Sequence, residues 1–232
     1  KIDLHLDLIA GLPYETFDRF RKSFNDVFAL GGKEVQLGFL KMLRGTGLRN
    51  MASHYGYQYD SEAPYEILFN DDISATDLQQ IRDAEEILEK YWNSGKFPLT
   101  MKAVFEQYYD HQYFEFFHEF GQYYKEHNFL RHKFQFEDLF RYLHCFLQTK
   151  DIDLFDELRT DYYNNFKIRP HGFWDSTLEK KLRKQLLYQI GNDKLFLKEH
   201  LLDRKAIEKQ TAIDPFGENR YLLTIFIERE GL

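Results

Sequence analysis

His5 and Asp7 place an imidazole and a carboxylate two positions apart, in the run Asp3-Leu4-His5-Leu6-Asp7-Leu8-Ile9-Ala10-Gly11-Leu12-Pro13. On a strand the pair shares one face about 7 Å apart, too far for a direct dyad yet close enough for both to touch one ligand. A carboxylate accepts hydrogen bonds from hydroxyls, and an imidazole relays a proton or bonds to its neighbours. Two readings stay open, a ligand-facing pair and a satisfied polar core. Gln36, Lys41 and Arg44 extend the set. Lys41 and Arg44 could neutralise a carboxylate or phosphate, although a solvated loop is the commoner fate of such residues.

The elements that must position these groups follow from hydrophobic periodicity. Over residues 2–10, Asp3, His5, Asp7 and Ile9 alternate with Leu4, Leu6 and Leu8. The leucine side of such a strand packs under a helix and leaves the polar side to line a cavity. Gly11-Leu12-Pro13 turns the chain, and Thr16 can cap a helix over 17–30 with Phe17, Phe20, Phe24, Val27 and Phe28 on one stripe. Gly31-Gly32 stops it, and Val35, Leu37 and Phe39 alternate with Gln36, Gly38 and Leu40 in a second strand. Strand, helix and strand at this spacing predict a right-handed βαβ unit.

Lys41-Met42-Leu43-Arg44-Gly45-Thr46-Gly47 leaves the second strand as a basic loop without the glycine-rich spacing of a phosphate cradle, and no clear helix is expected directly after it. Ser74 and Asp77 form a capping box for a helix through Leu78, Ile81, Leu88 and Trp92. Ser94-Gly95-Lys96-Phe97-Pro98 breaks it and marks the best boundary, giving domains over 1–97 and 98–232. Beyond it, sixteen residues between Phe105 and Phe146 are Phe or Tyr. Their three- and four-residue spacings predict helices over roughly 101–126 and 135–148 with a core of packed rings. A further helix carries Ile152, Phe155, Leu158 and Tyr162, and another follows a Ser176 and Glu179 capping box. A hairpin with arms 206–212 and 220–227 closes the pattern.

Composition narrows the function classes. The net charge of -7 is spread over mixed stretches and offers no basic groove, so no nucleic-acid partner is expected. No stretch of twenty apolar residues and no basic-then-apolar leader is present, which makes the cytoplasm the expected compartment and a membrane partner unexpected. The single cysteine, Cys145, excludes an internal disulfide or an all-cysteine metal site and reads as an inert core thiol. Glu115, His118 and Glu119 share one helical face, but as part of a solvated polar face rather than as metal ligands. No His-Glu-x-x-His, Gly-x-Ser-x-Gly or dinucleotide fingerprint occurs, so no catalytic residue and no metal ligand is expected in the chain itself.

The run from His5 to Thr16 resembles the fifth-strand region of radical S-adenosylmethionine enzymes. With Gln36-Leu37-Gly38-Phe39-Leu40-Lys41, Arg44-Gly45-Thr46, Pro64-Tyr65-Glu66-Ile67-Leu68 and the segment Glu89 to Phe97, the pattern is similar to the cobalamin-binding (B12) branch that carries a C-terminal domain of unknown function of the DUF4080 type. More distantly, the Gly-Leu-Pro strand is similar to oxygen-independent coproporphyrinogen III oxidases. The resemblance implies an oxidoreductase parent with a cobalamin domain, a partial (β/α) barrel and a [4Fe-4S] iron-sulfur cluster on a Cys-x-x-x-Cys-x-x-Cys loop that cleaves S-adenosyl-L-methionine. By position it implies that Asp7 and His5 face the S-adenosylmethionine or substrate cavity. It also implies that Gly11 and Pro13 shape the strand exit and that Gln36 and Lys41 line the next strand top.

The cluster motif and the cobalamin domain are absent from these 232 residues. The fold expected is therefore α/β plus mostly α: the last strands of a partial radical-SAM barrel, then an aromatic-rich helical domain with a small hairpin. The function expected is that of a C-terminal fragment supplying part of the cavity and an accessory cap, inactive alone. Its partners would be the upstream cluster-binding half and the parent's small-molecule substrate, and an open strand edge would favour self-association. The alternative is a non-enzymatic module that binds a protein or peptide through an exposed aromatic patch after residue 100. A complete small hydrolase lacks a nucleophile and base pair.

Overall fold

The alternation along the first strand is realised in the computed structural model, which describes residues 4–129, 134–166, 178–215 and 220–226. Strand β1 (His5–Ala10) pairs in parallel with β2 (Glu34–Phe39), with Asp7 opposite Gln36 and Leu8 opposite Leu37. Helix α1 (Phe17–Phe28) connects them and buries Phe20, Phe24 and Phe28. Thr16 starts it as expected: its Oγ1 accepts the Arg19 N–H at 3.3 Å. Asp3, read as part of the polar face, lies outside the described residues.

Past Phe39 the chain keeps pairing. Met42 N–H donates to Tyr65 O at 2.8 Å and Ile67 N–H to Leu40 O at 3.0 Å. Residues 65–67 lead into a small antiparallel hairpin of β3 (Gln58–Tyr59) and β4 (Ile67–Phe69) that the periodicity does not reveal, because strands of two and three residues are too short to alternate visibly. A short helix, α2 (Gly47–Asn50), follows Gly45-Thr46 directly, which corrects the expectation of none; Thr46 caps it.

Helix α3 (Ala75–Leu88) begins with the Ser74 and Asp77 capping box and runs on as a π-helical turn over Glu89–Asn93. The single helix expected over 101–126 is two, α4 (Pro98–Gln107) and α5 (Tyr113–Glu126). Asp110 (φ 44°) and His111 (φ 60°) both take left-handed backbone between them, which no helix continues through. The aromatic spacing carries on across this break, which is why it reads as one helix. Helix α6 (Phe136–Thr149) follows, with Asp138 reaching back to the Gln135 N–H.

The rings after residue 100 form a core. Phe114, Phe116, Phe117, Phe120 and Tyr124 of α5 and Phe140 and Phe146 of α6 are buried, and Phe120 stacks on Phe146 at 4.4 Å. Such contacts exceed what burial of area alone supplies. Gly121 lets α5 approach α3 closely, since a Cβ there would sit 2.8 Å from the Asp83 carbonyl carbon. Tyr91 reaches in from the π-helical turn, its hydroxyl 2.6 Å from that of Tyr124 and donating to Leu139 O at 3.0 Å. Not every ring after residue 100 is buried: Tyr108 and Phe136 remain exposed.

Compactness divides the chain between Leu158 and Arg159, inside α7 (Phe155–Asn165), so the composition break at 97/98 falls within the first unit. The reason is physical: α4 and α5 pack their rings onto α1 and the π-helical turn, and α6 packs its rings onto α5. The second unit holds α8 (Lys180–Asn192), α9 (Lys194–Glu199), α10 (Ile207–Gln210) and a hairpin of β5 (Thr211–Pro215) and β6 (Tyr221–Ile225). Residues 207–210, expected as the start of a strand, are helical. Tyr163 donates to the buried Asp214 carboxylate at 2.8 Å. Ser176, the turn residues 216–219 and Ile227 lie outside the described residues.

The fold is thus mixed α/β, and 54% of the described residues are helical, so that helices rather than sheets carry most of their mass. Its described strands make three two-stranded sheets and no closed barrel. Among the described residues no helix is long and apolar enough to cross a membrane.

Candidate functional site

Parallel pairing puts the polar residues of β1 and β2 on one side. His5, Asp7 and Ile9 stand opposite Glu34, Gln36 and Gly38, and Asp7 and Gln36 are exposed. The opposite side, with Leu6, Leu8, Val35 and Leu37, turns inward, and Val35 and Leu37 are fully covered. Both strands run the same way, so the loops that leave them, Gly11–Glu15 and Leu40–Thr46, emerge at one edge. The carboxyl edge of parallel strands is where α/β sheets place ligands.

His5 stands apart from that edge. It sits at the amino end of β1, where its Nδ1 is 2.9 Å from Glu34 Oε2, with 61% of its side chain exposed. Asp7 and Gln36 are the adjacent polar pair nearer the edge, a carboxylate acceptor beside an amide that both donates and accepts. Gly38 leaves the next position on this face without a side chain, so a bound group could approach the backbone there.

The turn after β1 is held from several directions. Gly11 has φ 90°, and a Cβ on it would lie 2.0 Å from Ile67 Cδ1, so glycine is required both by conformation and by space. Its carbonyl accepts from the buried Tyr57 hydroxyl at 2.9 Å and from Asn70 Nδ2 at 3.4 Å. Its N–H donates to Glu15 Oε2 at 3.2 Å. Burial pushes the Glu15 carboxyl up from its ordinary value, against the Gly11 and Leu12 backbone N–H groups that draw it down. One residue on, the Tyr14 N–H donates to Asp72 Oδ2 at 2.9 Å, and Tyr14 is left-handed (φ 64°) with 60% of its surface exposed. Pro13 is half-buried in this turn.

Tyr57, Asn70 and Asp72 were not legible as site residues, because they act on the turn from 46 to 59 positions away. The only advance signal was the need of a left-handed glycine for some partner to its backbone groups.

Lys41 is exposed and its backbone bridges to Glu66, whose carboxylate takes Arg82 at 2.5 Å. Arg44 is exposed with its guanidinium 5.2 Å from the Tyr65 ring centre. Arg49 lies 4.8 Å from the same ring and donates to Met42 O at 2.7 Å, so it braces the loop instead of offering a charge to a ligand. Around this edge Ile9, Leu12, Tyr14, Leu43 and Leu68 are exposed apolar side chains. Exposed apolar side chains gathered around a polar face are a common mark of contact surfaces.

The donors do not fit an iron-sulfur cluster. Such a cluster needs several thiolates, and the chain has one cysteine, Cys145, half-buried on α6. Among the described residues no three His, Cys, Asp or Glu side chains are grouped to hold a metal. Glu115, His118 and Glu119 are engaged otherwise: Glu115 takes Arg21 Nη2 at 2.6 Å, and Glu119 takes the Tyr109 hydroxyl at 2.8 Å and Lys150 Nζ at 2.9 Å. His118 lies against the Phe114 ring, its pKa lowered by burial.

No curated protein matches the chain. One family model does, over residues 53–225, starting after β2, so that the polar strand face lies ahead of the matched span and the β3–β4 hairpin, the aromatic helices and most of the second unit lie within it. That span is most of the 232 residues, and the chain belongs to the family described as protein of unknown function, DUF4080.

Proposed function

We propose that this DUF4080 chain is the carboxy-terminal part of a radical S-adenosylmethionine protein, in which residues 1–97 supply strands of a partial barrel and residues 98–232 an accessory helical cap. The observation that carries the reading is the β1–α1–β2 unit, where a strand pair sealed with Val35 and Leu37 on one side presents Asp7 and Gln36 in register on the other. The likeness of the His5–Thr16 run to the fifth-strand region of such enzymes, followed by a DUF4080 domain, supports it further.

In this reading the cluster, and cobalamin where the parent uses it, are carried by the upstream half, which is the chain's main partner. The chemistry such a cluster supplies is reductive cleavage of S-adenosylmethionine. The residues here bind and position. The Asp7 carboxylate would accept hydrogen bonds from an ammonium or hydroxyl group of cofactor or substrate, and Gln36 would orient the same polar groups. The fixed Gly11–Glu15 turn and the Lys41 loop would shape the strand tops, while Ile9, Leu12 and Leu43 would be covered by the upstream half and so exclude water. His5, tied to Glu34, would hold the far end of the wall.

The test is made on the complete reading frame. It should encode a Cys-x-x-x-Cys-x-x-Cys loop upstream of Asp3. The intact protein, reconstituted anaerobically, should bind iron and release 5′-deoxyadenosine when reduced with S-adenosylmethionine. A frame without the three-cysteine loop, or intact iron-loaded protein that releases no deoxyadenosine, would contradict the reading.

A further inference from the structure

A cleft of about 430 Å³ opens on the first unit and shares no lining residue with the polar strand face. It lies between the end of α1, the π-helical turn, α4 and the turn before α5. Its size is that of a site for a small organic molecule.

Its walls are rings held in place by other rings. Trp92 and Tyr113 are half-buried, and the buried Phe28 contacts both, with ring centres 4.6 Å from Trp92 and 4.4 Å from Tyr113. Phe105, also buried, meets Tyr113 edge-on at 5.0 Å. Two departures from regular backbone shape this wall. Trp92 comes from the π-helical turn Glu89–Asn93, an element frequent at functional positions. Tyr113 follows the two successive left-handed residues Asp110 and His111, and its hydroxyl lies 3.0 Å from His111 Nδ1. Left-handed non-glycine residues gather at ligand clamps, where surrounding contacts must compensate their strain.

The charges at the cleft cancel. Helix α4 contributes one cation, Lys102, and one carboxylate, Glu106, a single helical turn apart, both exposed and neither in an ion pair among the described residues. Lys33, the other lysine of the lining, already has a partner within the chain. An ion of either sign would give up hydration against the rings with no surplus of opposite charge to meet it.

We propose that this cleft binds a small uncharged aromatic molecule, its ring against Trp92 and Tyr113. The occupant class follows from the walls and the charge balance: half-exposed rings favour another ring packed offset or edge-on, and a balanced mouth selects neither an acid nor an amine. The site does not depend on any chemistry at the strand face.

The chain has two tryptophans, Trp92 and Trp174, so each side-chain indole N–H gives its own NMR resonance, assigned with Trp92→Phe. The 232-residue chain is titrated with 4-phenyl-1-butanol, and separately with 4-phenylbutyrate and 4-phenylbutylamine, which carry the same ring on a negative and a positive tail. The ring current of the bound alcohol should move the Trp92 resonance saturably, with a dissociation constant on the order of 1 mM or below, which about a dozen non-hydrogen atoms can supply. Neither ion should bind more tightly than the alcohol. Ala29→Phe, at an exposed position that lines the cleft, should fill it and weaken the alcohol at least about tenfold while the unfolding midpoint stays in place. A Trp92 resonance that does not move, or that moves no more specifically than that of Trp174, overturns the site, as does alcohol binding that a folded Ala29→Phe leaves unaltered. An acid or an amine that binds more than about threefold tighter than the alcohol overturns the uncharged occupant.

Discussion

The strand pair and the aromatic helices belong to one compact unit yet treat their surfaces in opposite ways. The helices bury Phe116, Phe117 and Phe120 with no exposure at all, and the Tyr124 hydroxyl meets that of Tyr91 inside. The strands seal one face and leave the other open, with Asp7 and Gln36 exposed and Ile9 uncovered at 48%. The helices therefore carry stability. The open strand face adds little to it, and residues that cost solvent exposure without returning packing are the ones to examine for binding.

The comparison breaks first if the ring core is not the stabilising element. Phe120→Ala empties a site in contact with Phe146, Tyr91 and Tyr124 and should cost about 3–5 kcal/mol in denaturant unfolding. A loss below about 1 kcal/mol would mean the helices do not hold the unit together.

Alkaline titration sharpens the same point. Burial pushes the Tyr91 hydroxyl well above the ordinary tyrosine value and raises that of Tyr124 as well. An unfolded tyrosine loses its proton near pH 10, so above that pH the folded chain holds protons that the unfolded chain has released. The contribution of these two hydroxyls should be level below about pH 10 and fall above it, by about 1.4 kcal/mol per pH unit for each. Tyr91→Phe should remove its share of the slope, which unfolding at pH 9, 10 and 11 would show.

At the junction of the two regions, Gly11→Ala should cost about 2 kcal/mol, since the left-handed backbone and the Ile67 side chain both resist a Cβ. The smallest effect is the most telling one. Asp7→Ala and Gln36→Ala should each change stability by less than about 0.5 kcal/mol, as substitutions at exposed positions do. A larger loss would make the polar face a structural feature.

Much of this division was readable in advance where the cause is local. The two-residue alternation of β1, the Thr16 cap and the Ser74–Asp77 box each act within a few positions, and each stands as read. What escaped acts over distance or against the pattern. Tyr57 and Asn70 reach Gly11 across the β3–β4 hairpin, whose strands are too short for periodicity. The α4–α5 break hides because Tyr108, Tyr109 and Tyr113 continue the helical spacing while Asp110 and His111 reverse the backbone. The break at Ser94-Gly95 is real as a turn, with Gly95 at φ 64°, but packing of rings across it decides the compact unit.

The most direct test places Asp7→Ala in the complete protein and measures 5′-deoxyadenosine release beside thermal unfolding. If the open strand face is a ligand-facing wall, release should fall at least about tenfold, the worth of one charge-assisted contact, while the unfolding midpoint stays in place. Unchanged release, or a loss that only follows a lowered midpoint, would contradict the account.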